Sequence, residues 1–272
     1  MKTSWNLTNK DLLDWASPLS PCGEDIKNYD CHLSKALTNY EYHIQFILGV
    51  TPQLYKLGNS YNLNVFAIDS SKRMLKNIWP GPKDNALHSN WLALKSFVKK
   101  PSIITCDGGF HLLTFEEQRV LVKSFKERDL SNSSFILRVF LPNEFGMSSA
   151  QIFELLFDGA IENANILKFL LWFAVDLNSN GEVRVSEIWN SLFRVCKGNV
   201  IETLKSVGFS DGTIRSLLFY RDNDSVYSFS KLRDIEELFL ESACLKLIDI
   251  SFPNYRFGEF FPVVSFAKEV PN

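Results

Sequence analysis

The chain has 272 residues, of which 46% are hydrophobic and 22% are charged, as in an ordinary soluble globular protein. Its 29 Lys and Arg residues nearly balance its 31 Asp and Glu residues, which argues against the basic surface of a nucleic-acid-binding protein. The longest apolar run, ILKFLLWFAVDL, is too short to span a bilayer and the first residues lack a signal peptide's apolar stretch, so we expect a cytoplasmic protein without membrane contact.

The five cysteines are odd in number and show no C-x-x-C spacing. We therefore predict neither a disulfide framework nor a zinc site, and we assign no metal ligands. Cys106 and Cys244 lie in or beside apolar runs, so we expect both thiols to be buried.

Residues 1–43 form a predicted N-terminal arm that is rich in polar and aromatic residues. The stretch TNKDLLDWA predicts a short helix capped by Thr8 or Asn9, and residues 31–42 predict a second helix. The arm would either fold over a ligand as a lid or cover the edge of a sheet, and the residues leave both readings open. Its aromatic side chains are Trp5, Trp15, Tyr29 and Tyr40.

Strands alternate with helices from residue 44 to residue 142, which predicts a parallel sheet covered on both faces. The predicted strands are Ile44–Leu48, Asn64–Ile68, NALHSN, Ser102–Cys106 and Ser134–Leu141. The predicted helices are Pro52–Leu57, Ser70–Asn77 and Phe115–Arg128. In the last of these helices, the apolar side is expected to consist of Phe115, Val120, Leu121 and Phe125.

The pattern changes after Pro142, where residues 143–210 are predicted to form a mostly helical insertion or cap. Its apolar-faced helices are expected at Ile152–Phe157, Asn165–Phe173 and Val185–Cys196. Residues 211–272 would close the chain with a helix in FSKLRDIEELFLESA and an antiparallel hairpin of CLKLIDISF and FPVVSFAKE. We expect one domain with an insertion.

The stretch FILGVTPQLYKLGNSYNLNVFAID reads as a strand, a turn, a helix, a second strand and an acid. This is the layout of a nucleotide-binding βαβ unit, and Asp69 follows Gly49 by the spacing that such units show. A carboxylate at this place can accept hydrogen bonds from both ribose hydroxyls of an adenosine. Asp69 could also cap the helix in SSKRML, and the two roles are compatible.

The turn reads G-V-T-P-Q-L where a dinucleotide site has G-x-G-x-x-G. It lacks the glycine that lets a pyrophosphate approach the backbone, which disfavours NAD and FAD. An adenosine cofactor without phosphates, such as S-adenosylmethionine, remains compatible with the turn. Thr51 could then cap the next helix, with Pro52 at its first position.

The motifs FILGVTPQLYKL, VFAIDSSKRML, WPG, NWLAL, IITCDGGFHLL and FILRVF together resemble the class I S-adenosylmethionine-dependent methyltransferases. The resemblance is greatest to a bacterial subset whose first loop reads L-G-V-T-P. It covers about residues 44–142 and returns in SFPNYRFGEFFPVVSFAK, while the first loop departs from the usual E/D-x-G-x-G-x-G. It implies an α/β, Rossmann-like, mostly parallel sheet with helices on both faces and a C-terminal antiparallel hairpin.

The resemblance also implies a set of cofactor-binding residues, among which Asn90 replaces the family's usual Asp. Those at the methionine and ribose parts would be Gly49, Thr51, Pro52, Asp69 and Ser70. Those near the adenine would be Met74, Asn90 and Trp91. Those where the methyl group and the acceptor meet would be Asp107, Gly108 and Phe110.

Three residues near this mouth could act as a general base on a hydroxyl acceptor, namely His111, Asp107 and Glu144. The alternative for His111 is packing at the start of a helix. Arg138 stands inside the predicted strand FILRVF, where a charge needs a partner. We expect Arg138 to be structural, or else to reach an acidic substrate.

Residues 176–187, DLNSNGEVRVSE, match the calcium-loop pattern D-x-[DN]-x-[DN]-G-x5-E. The side-chain ligands would be Asp176, Asn178, Asn180 and Glu187. Only two of these are acids, and Arg184 holds a position that often carries a water-bridging ligand. We therefore predict a polar turn here, followed by an extended piece and a helix capped by Ser186.

These features predict methyl transfer from S-adenosylmethionine to a small-molecule acceptor, on oxygen or nitrogen, by in-line displacement. The alternative is a non-catalytic module that binds S-adenosylmethionine or S-adenosylhomocysteine, because the first loop is reduced and no base is clear. A nucleic-acid or protein methyltransferase is disfavoured because CDGGF stands where an N-P-P-Y-like motif would lie.

Overall fold

A computed structural model describes residues 17–98, 100–126, 132–143, 145–176 and 181–268 of the chain. The predicted helix in TNKDLLDWA, the arm residue Trp5 and the candidate base Glu144 lie outside these ranges. Within these ranges the chain divides into two compact units, one of the described residues in 21–141 and 230–268 and the other of those in 17–20 and 142–229. One domain with an insertion at residues 143–210 stays a prediction.

The first unit is built on a mixed sheet, whose strands are β1 Ile44–Leu48, β2 Asn64–Asp69, β3 Ala86–His88, β4 Ile103–Asp107, β5 Ser134–Arg138, β8 Lys246–Ser251 and β9 Val263–Ala267. Within the described residues the strand order is β3-β2-β1-β4-β5-β9-β8. Strands β1 to β5 pair in parallel, whereas β9 is antiparallel to β5 and to β8. The predicted parallel sheet with a terminal antiparallel hairpin is therefore confirmed.

Helices cover both faces of this sheet, as predicted. The helices of the first unit are α1 Gly23–Asn39, α2 Pro52–Ser60, α3 Lys72–Asn77, α4 Phe115–Lys123 and α10 Leu232–Ala243, with a 3-10 helix at Trp91–Ser96. Leu121 of α4 and Phe239 of α10 share one buried cluster with alternate residues of the central strands, Phe46, Leu48, Ile104, Cys106, Phe135 and Leu137. The intervening residues point to the other face, where α1 and α2 lie.

Two predictions about burial are wrong. Val120 is 43% exposed, whereas Leu121 and Phe125 are buried as predicted, and Gln118 and Val122 are also buried. Cys244 is exposed because it ends α10 in the left-handed conformation, with φ of 57°, whereas Cys106 is buried as predicted. In both cases apolar residues in the sequence predicted a buried side chain, but the local backbone geometry leaves that side chain exposed.

The second unit is mainly helical, which confirms the predicted character of the segment after residue 142. Its helices are α5 Ser149–Phe157, α6 Ala164–Asp176, α7 Val185–Val195, α8 Val200–Ser206 and α9 Asp211–Leu218. Two short strands, β6 Glu182–Arg184 and β7 Val226–Ser228, pair antiparallel.

The start of α7 bears on the calcium-loop motif. Arg184, and not Ser186, is the residue that precedes α7, and its backbone N–H donates to Glu187 Oε2 at 3.2 Å. Residues 177–180, with two of the four motif ligands, lie outside the described ranges. Among the residues that the structure does describe, no group of three His, Cys, Asp or Glu side chains could hold a metal ion.

None of the helices in the described ranges combines the length and the apolar character that crossing a membrane requires.

A glycine in α2 allows that helix to approach the sheet. A Cβ atom on Gly58 would stand 1.8 Å from Gln45 Oε1 and 2.9 Å from Val65 Cγ2. We predict that Gly58→Ala lowers the free energy of unfolding by about 2 kcal/mol through overpacking. Urea denaturation measures this change. Gly23→Ala in α1, where a Cβ would meet nothing within 4 Å, is the matched control; an equal loss in both variants would contradict the packing argument.

Candidate functional site

Three of the predicted site residues, together with Arg138, lie at the carboxyl edge of the sheet. Leu48 pairs with Ile68 on one side and with Cys106 on the other, and Cys106 pairs with Leu137. The next residue of each strand therefore stands at the same edge, where open α/β sheets bind their ligands. These residues are Gly49, Asp69, Asp107 and Arg138.

The turn after β1 depends on Gly49. Its φ is +100°, which other residues rarely adopt, and its N–H donates to Ile68 O at 2.8 Å. A Cβ on Gly49 would stand 4.0 Å from Asp69 Oδ2. Thr51 occupies the predicted position before α2, with Pro52 first in the helix, but the Thr51 side chain makes no capping hydrogen bond. The turn thus brings Gly49 and the acid together.

Asp69 ends β2 and directs its two carboxylate oxygens to different places. Oδ1 accepts a hydrogen bond from Ser71 N at 2.6 Å, which shapes the turn into α3. Ser71 itself caps α3, its side chain accepting from Met74 N. Burial raises the pKa of Asp69 above its ordinary value. The alternative that Asp69 caps the helix is therefore wrong, since Ser71 is the cap residue. The second carboxylate oxygen of Asp69, Oδ2, lies on the Gly49 side.

The Trp91 indole links this turn to the end of β4. Its Nε1 donates to Ile68 O at 2.7 Å, and its Cζ2 lies 3.6 Å from the position of a Cβ on Gly49. A Cβ on Gly109 would stand 2.7 Å from Trp91 Cη2 and 3.0 Å from Cys106 Sγ. Because Gly109 has an ordinary φ of −92°, its missing side chain is required for space alone. The ring therefore lies between two glycines.

The remaining predicted cofactor residues differ in exposure. Asn90 is exposed, and its side-chain oxygen accepts from Leu92 N at 2.9 Å, capping the 3-10 helix at Trp91–Ser96. Ser70 is exposed and its carbonyl accepts from His88 Nε2 at 3.0 Å. Met74 is buried, and Phe110 belongs to the core cluster behind the sheet. Their cofactor contacts remain predictions.

Arg138 is buried in an ion-pair network, which supports the prediction that its charge needs partners. Its Nε donates to Asp107 Oδ1 at 2.6 Å and its Nη1 to Asp25 Oδ2 at 3.3 Å. The other Asp25 oxygen accepts from the Tyr255 hydroxyl at 2.9 Å. Arg138 Nη2 is buried without a hydrogen-bond partner among the described residues, and the guanidinium carbon lies 5.5 Å from the Phe140 ring centre.

Tyr29 of α1 joins the ends of β4 and β5. Its hydroxyl donates to Cys106 O at 2.8 Å and accepts from Arg138 N at 2.9 Å. The side chain is buried, as is Asp25 one turn earlier in the same helix. Helix α1 is thereby fixed to the sheet, so Tyr29 does not belong to a lid.

His111 is buried next to Phe140, with the two ring centres 4.7 Å apart. Phe140 also covers Gly108, where an added Cβ would stand 2.8 Å from the ring. Burial, together with the nearby positive charge of Arg138, lowers the pKa of His111 to about 3. A neutral imidazole of such low pKa is a weak base. Its role as a base stays a prediction, and the packing alternative agrees with its surroundings.

Several residues of this edge were not predicted from the sequence. Asp25 and Tyr255 reach it from elements distant in the chain, and Tyr29 was predicted only as an aromatic residue of the N-terminal arm. The signal that could have pointed to them was Arg138, because a charge in a predicted strand requires acids nearby. Gly109 stands in CDGGF beside the predicted Gly108, but no sequence spacing shows that it faces Trp91.

No family model matches this chain, and no curated protein sequence matches it. Solved structures do resemble it. A protein from Rhodobacter sphaeroides provisionally described as a Zn-dependent alcohol dehydrogenase has a TM-score of 0.56 and 14% identity, over 97% of this chain and all of that one. The CcbJ methyltransferase from Streptomyces caelestis has a TM-score of 0.53 and 10% identity, over 94% of this chain and all of that one.

PKMT2 from Rickettsia typhi has a TM-score of 0.50 and 12% identity, over 90% of this chain and 54% of that one. Identities at this level establish the fold alone. Together with the strand order, they establish a Rossmann-like α/β fold with a mostly parallel sheet. The narrower resemblance to proteins with an L-G-V-T-P loop stays a prediction.

The Tyr29 hydroxyl gives a prediction about stability. Tyr29→Phe leaves the Cys106 carbonyl and the Arg138 N–H without their partner in a buried place. We expect the free energy of unfolding to fall by about 2–4 kcal/mol, as measured by urea denaturation. Tyr61→Phe, which removes an exposed hydrogen bond to Asp30, is the control and should cost less than about 1 kcal/mol. Similar losses would argue against the buried bridge.

The low pKa of His111 gives a prediction about pH. Since its folded pKa is about 3 and its ordinary value is 6.5, protonation favours the unfolded chain. The stability that depends on neutral His111 is complete above pH 6.5 and is lost as the pH falls. Between pH 7 and pH 5, the free energy of unfolding should therefore fall by about 2 kcal/mol less in His111→Gln than in the parent. Equal losses in parallel denaturation curves would show that His111 titrates normally.

Proposed function

We propose that this protein is an S-adenosylmethionine-dependent methyltransferase that modifies a small molecule on oxygen or nitrogen. The observation that carries the proposal is the meeting of Gly49, Asp69 and Trp91 at the carboxyl edge of a sheet with this strand order. The CcbJ methyltransferase has the same fold. The nearly balanced charge favours a small acceptor over a nucleic acid.

The residues present fit an adenosine cofactor that lacks phosphates. The backbone of Gly49 leaves a surface that a Cβ would fill, next to the Asp69 carboxylate. Asp69 Oδ1 already accepts a hydrogen bond from Ser71 N, while Oδ2 lies toward Gly49 and can accept hydrogen bonds from ribose hydroxyls. The amide oxygen of Asn90 keeps a second lone pair for an adenine amino group while it caps its helix.

In this proposal Gly49, Thr51 and Pro52 hold the methionine part and Asp69 with Ser70 holds the ribose. Near the adenine stand Met74, Asn90 and Trp91, and toward the acceptor stand Asp107, Gly108 and Phe110. The cofactor supplies an electrophilic methyl group on a positively charged sulfur. The chain's contribution is to orient the acceptor and to exclude water.

The proposed bases Asp107 and His111 have limited capacity for proton transfer. Asp107 accepts a 2.6 Å hydrogen bond from Arg138, and His111 has a pKa of about 3. The lack of a strong base favours an acceptor that needs no deprotonation before it attacks. Such an acceptor is a neutral amine with a free lone pair, or a group that is already ionised. The same lack equally favours the alternative of a module that binds the cofactor without transferring its methyl group.

Asp69 provides the test of the cofactor site. We predict that titration calorimetry detects binding of S-adenosylmethionine and S-adenosylhomocysteine, and that Asp69→Ala weakens both by about 10- to 100-fold. Ribose hydroxyls are common to both ligands, so both should respond equally. Asp84→Ala, which removes an exposed acid, is the control and should bind like the parent. The proposal fails if the parent binds neither nucleoside; binding without turnover of any acceptor supports the non-catalytic alternative.

A further inference from the structure

The ion-pair network at the ends of β4 and β5 carries unequal numbers of positive and negative groups. Asp25 and Asp107 bring two carboxylates, while Arg138 brings one guanidinium. We call these three residues the charge triad. Their side chains are 0%, 3% and 0% exposed, in that order. With both acids ionised, the triad holds a formal charge of −1 that solvent reaches poorly.

The other groups bound to the triad do not cancel this charge. Asp25 accepts hydrogen bonds from Cys22 N and from the Tyr255 hydroxyl, and both donors are neutral. His111 is neutral at ordinary pH because its pKa is about 3. Burial raises the pKa of Asp107, and the positive charge of Arg138 opposes that rise.

The triad is connected to the proposed cofactor site through the end of β4. Asp107 ends β4, and Gly109, two residues on, packs against Trp91. The same indole reaches Gly49 at the end of β1, the strand next to β4. Neighbouring strands lie about 4.8 Å apart, so the triad is within a Debye length of a ligand on Gly49.

We propose that the negative charge of this triad favours S-adenosylmethionine over S-adenosylhomocysteine in the site, and so promotes release of the product. The inference rests on the proposed function. S-adenosylmethionine carries an ammonium, a sulfonium and a carboxylate, with a net charge of about +1 near pH 7. When the methyl group bonds to the acceptor, the sulfur keeps the electron pair of the broken bond and becomes a neutral thioether. The product therefore has no net charge, and the acceptor's proton leaves to solvent.

Four proteins test this charge effect, because substitutions in the triad change its formal charge in known steps. The parent has −1, Asp107→Asn has 0, Arg138→Gln has −2, and the double variant returns to −1. The measurement is the ratio of the dissociation constant of S-adenosylhomocysteine to that of S-adenosylmethionine, by titration calorimetry. We expect the ratio to fall about tenfold in Asp107→Asn, to rise in Arg138→Gln, and to return toward the parent in the double variant.

The ratio compares two ligands on one protein, so a general loss of affinity cancels. Should Asp107→Asn not fold, Asp25→Asn reaches the same formal charge of 0 and should lower the ratio likewise. Asp30→Asn removes an exposed acid from the same helix as Asp25 and should leave the ratio unchanged, because solvent screens that charge.

The outcomes separate the inference from the proposed function. If the parent binds neither ligand, the proposed function fails. If both ligands bind but the ratio is the same in all variants, the charge inference is overturned while the function stands. If Arg138→Gln weakens both ligands equally, so that its ratio does not rise, the charge inference is likewise overturned.

Discussion

The burial of one guanidinium constrains most of what surrounds the site. Arg138 ends β5 with no exposed side-chain surface, and a charge removed from water costs several kcal/mol unless oxygen acceptors surround it. Helix α1 supplies Asp25 and β4 supplies Asp107, while Tyr255 follows β8 and completes the contacts of Asp25. The first described helix, the two central strands and the terminal hairpin are thus fixed together at the edge where open α/β sheets bind ligands.

The fold of the first unit could be predicted because its signals are local. Apolar strands of the right length, separated by helices, specify a parallel sheet, and the apolar hairpin at the end specifies antiparallel closure. Boundaries and burial were harder, because the backbone conformation decides them. Cys244 is exposed because it ends α10 in the left-handed conformation. Val120 lies on the outer side of α4, which is shorter than the helix predicted from its apolar residues.

The site could be predicted only in the part that lies within one βαβ unit. Gly49 and Asp69 are connected by a fixed spacing, so the sequence indicates that they meet. Gly109 and Trp91 meet through packing between two loops, and Arg138 finds Asp25 more than a hundred residues away in the chain. Such contacts depend on the order of strands in the sheet, and a single sequence does not show that order.

A fixed negative charge beside a sulfonium would have opposite effects on two steps of methyl transfer. It stabilises the cation in the ground state, and the positive charge is already partly dispersed in the transition state, so the chemical step gains nothing from it. Release of the neutral product is favoured instead, and product release limits many enzymes. With Asp107 bound to Arg138 and His111 a weak base, the rate of the chemical step must then come from orientation and dehydration of the acceptor. An enzyme built this way should be limited by its acceptor's own nucleophilicity, which is why a neutral amine or a preformed anion suits it better than an alcohol.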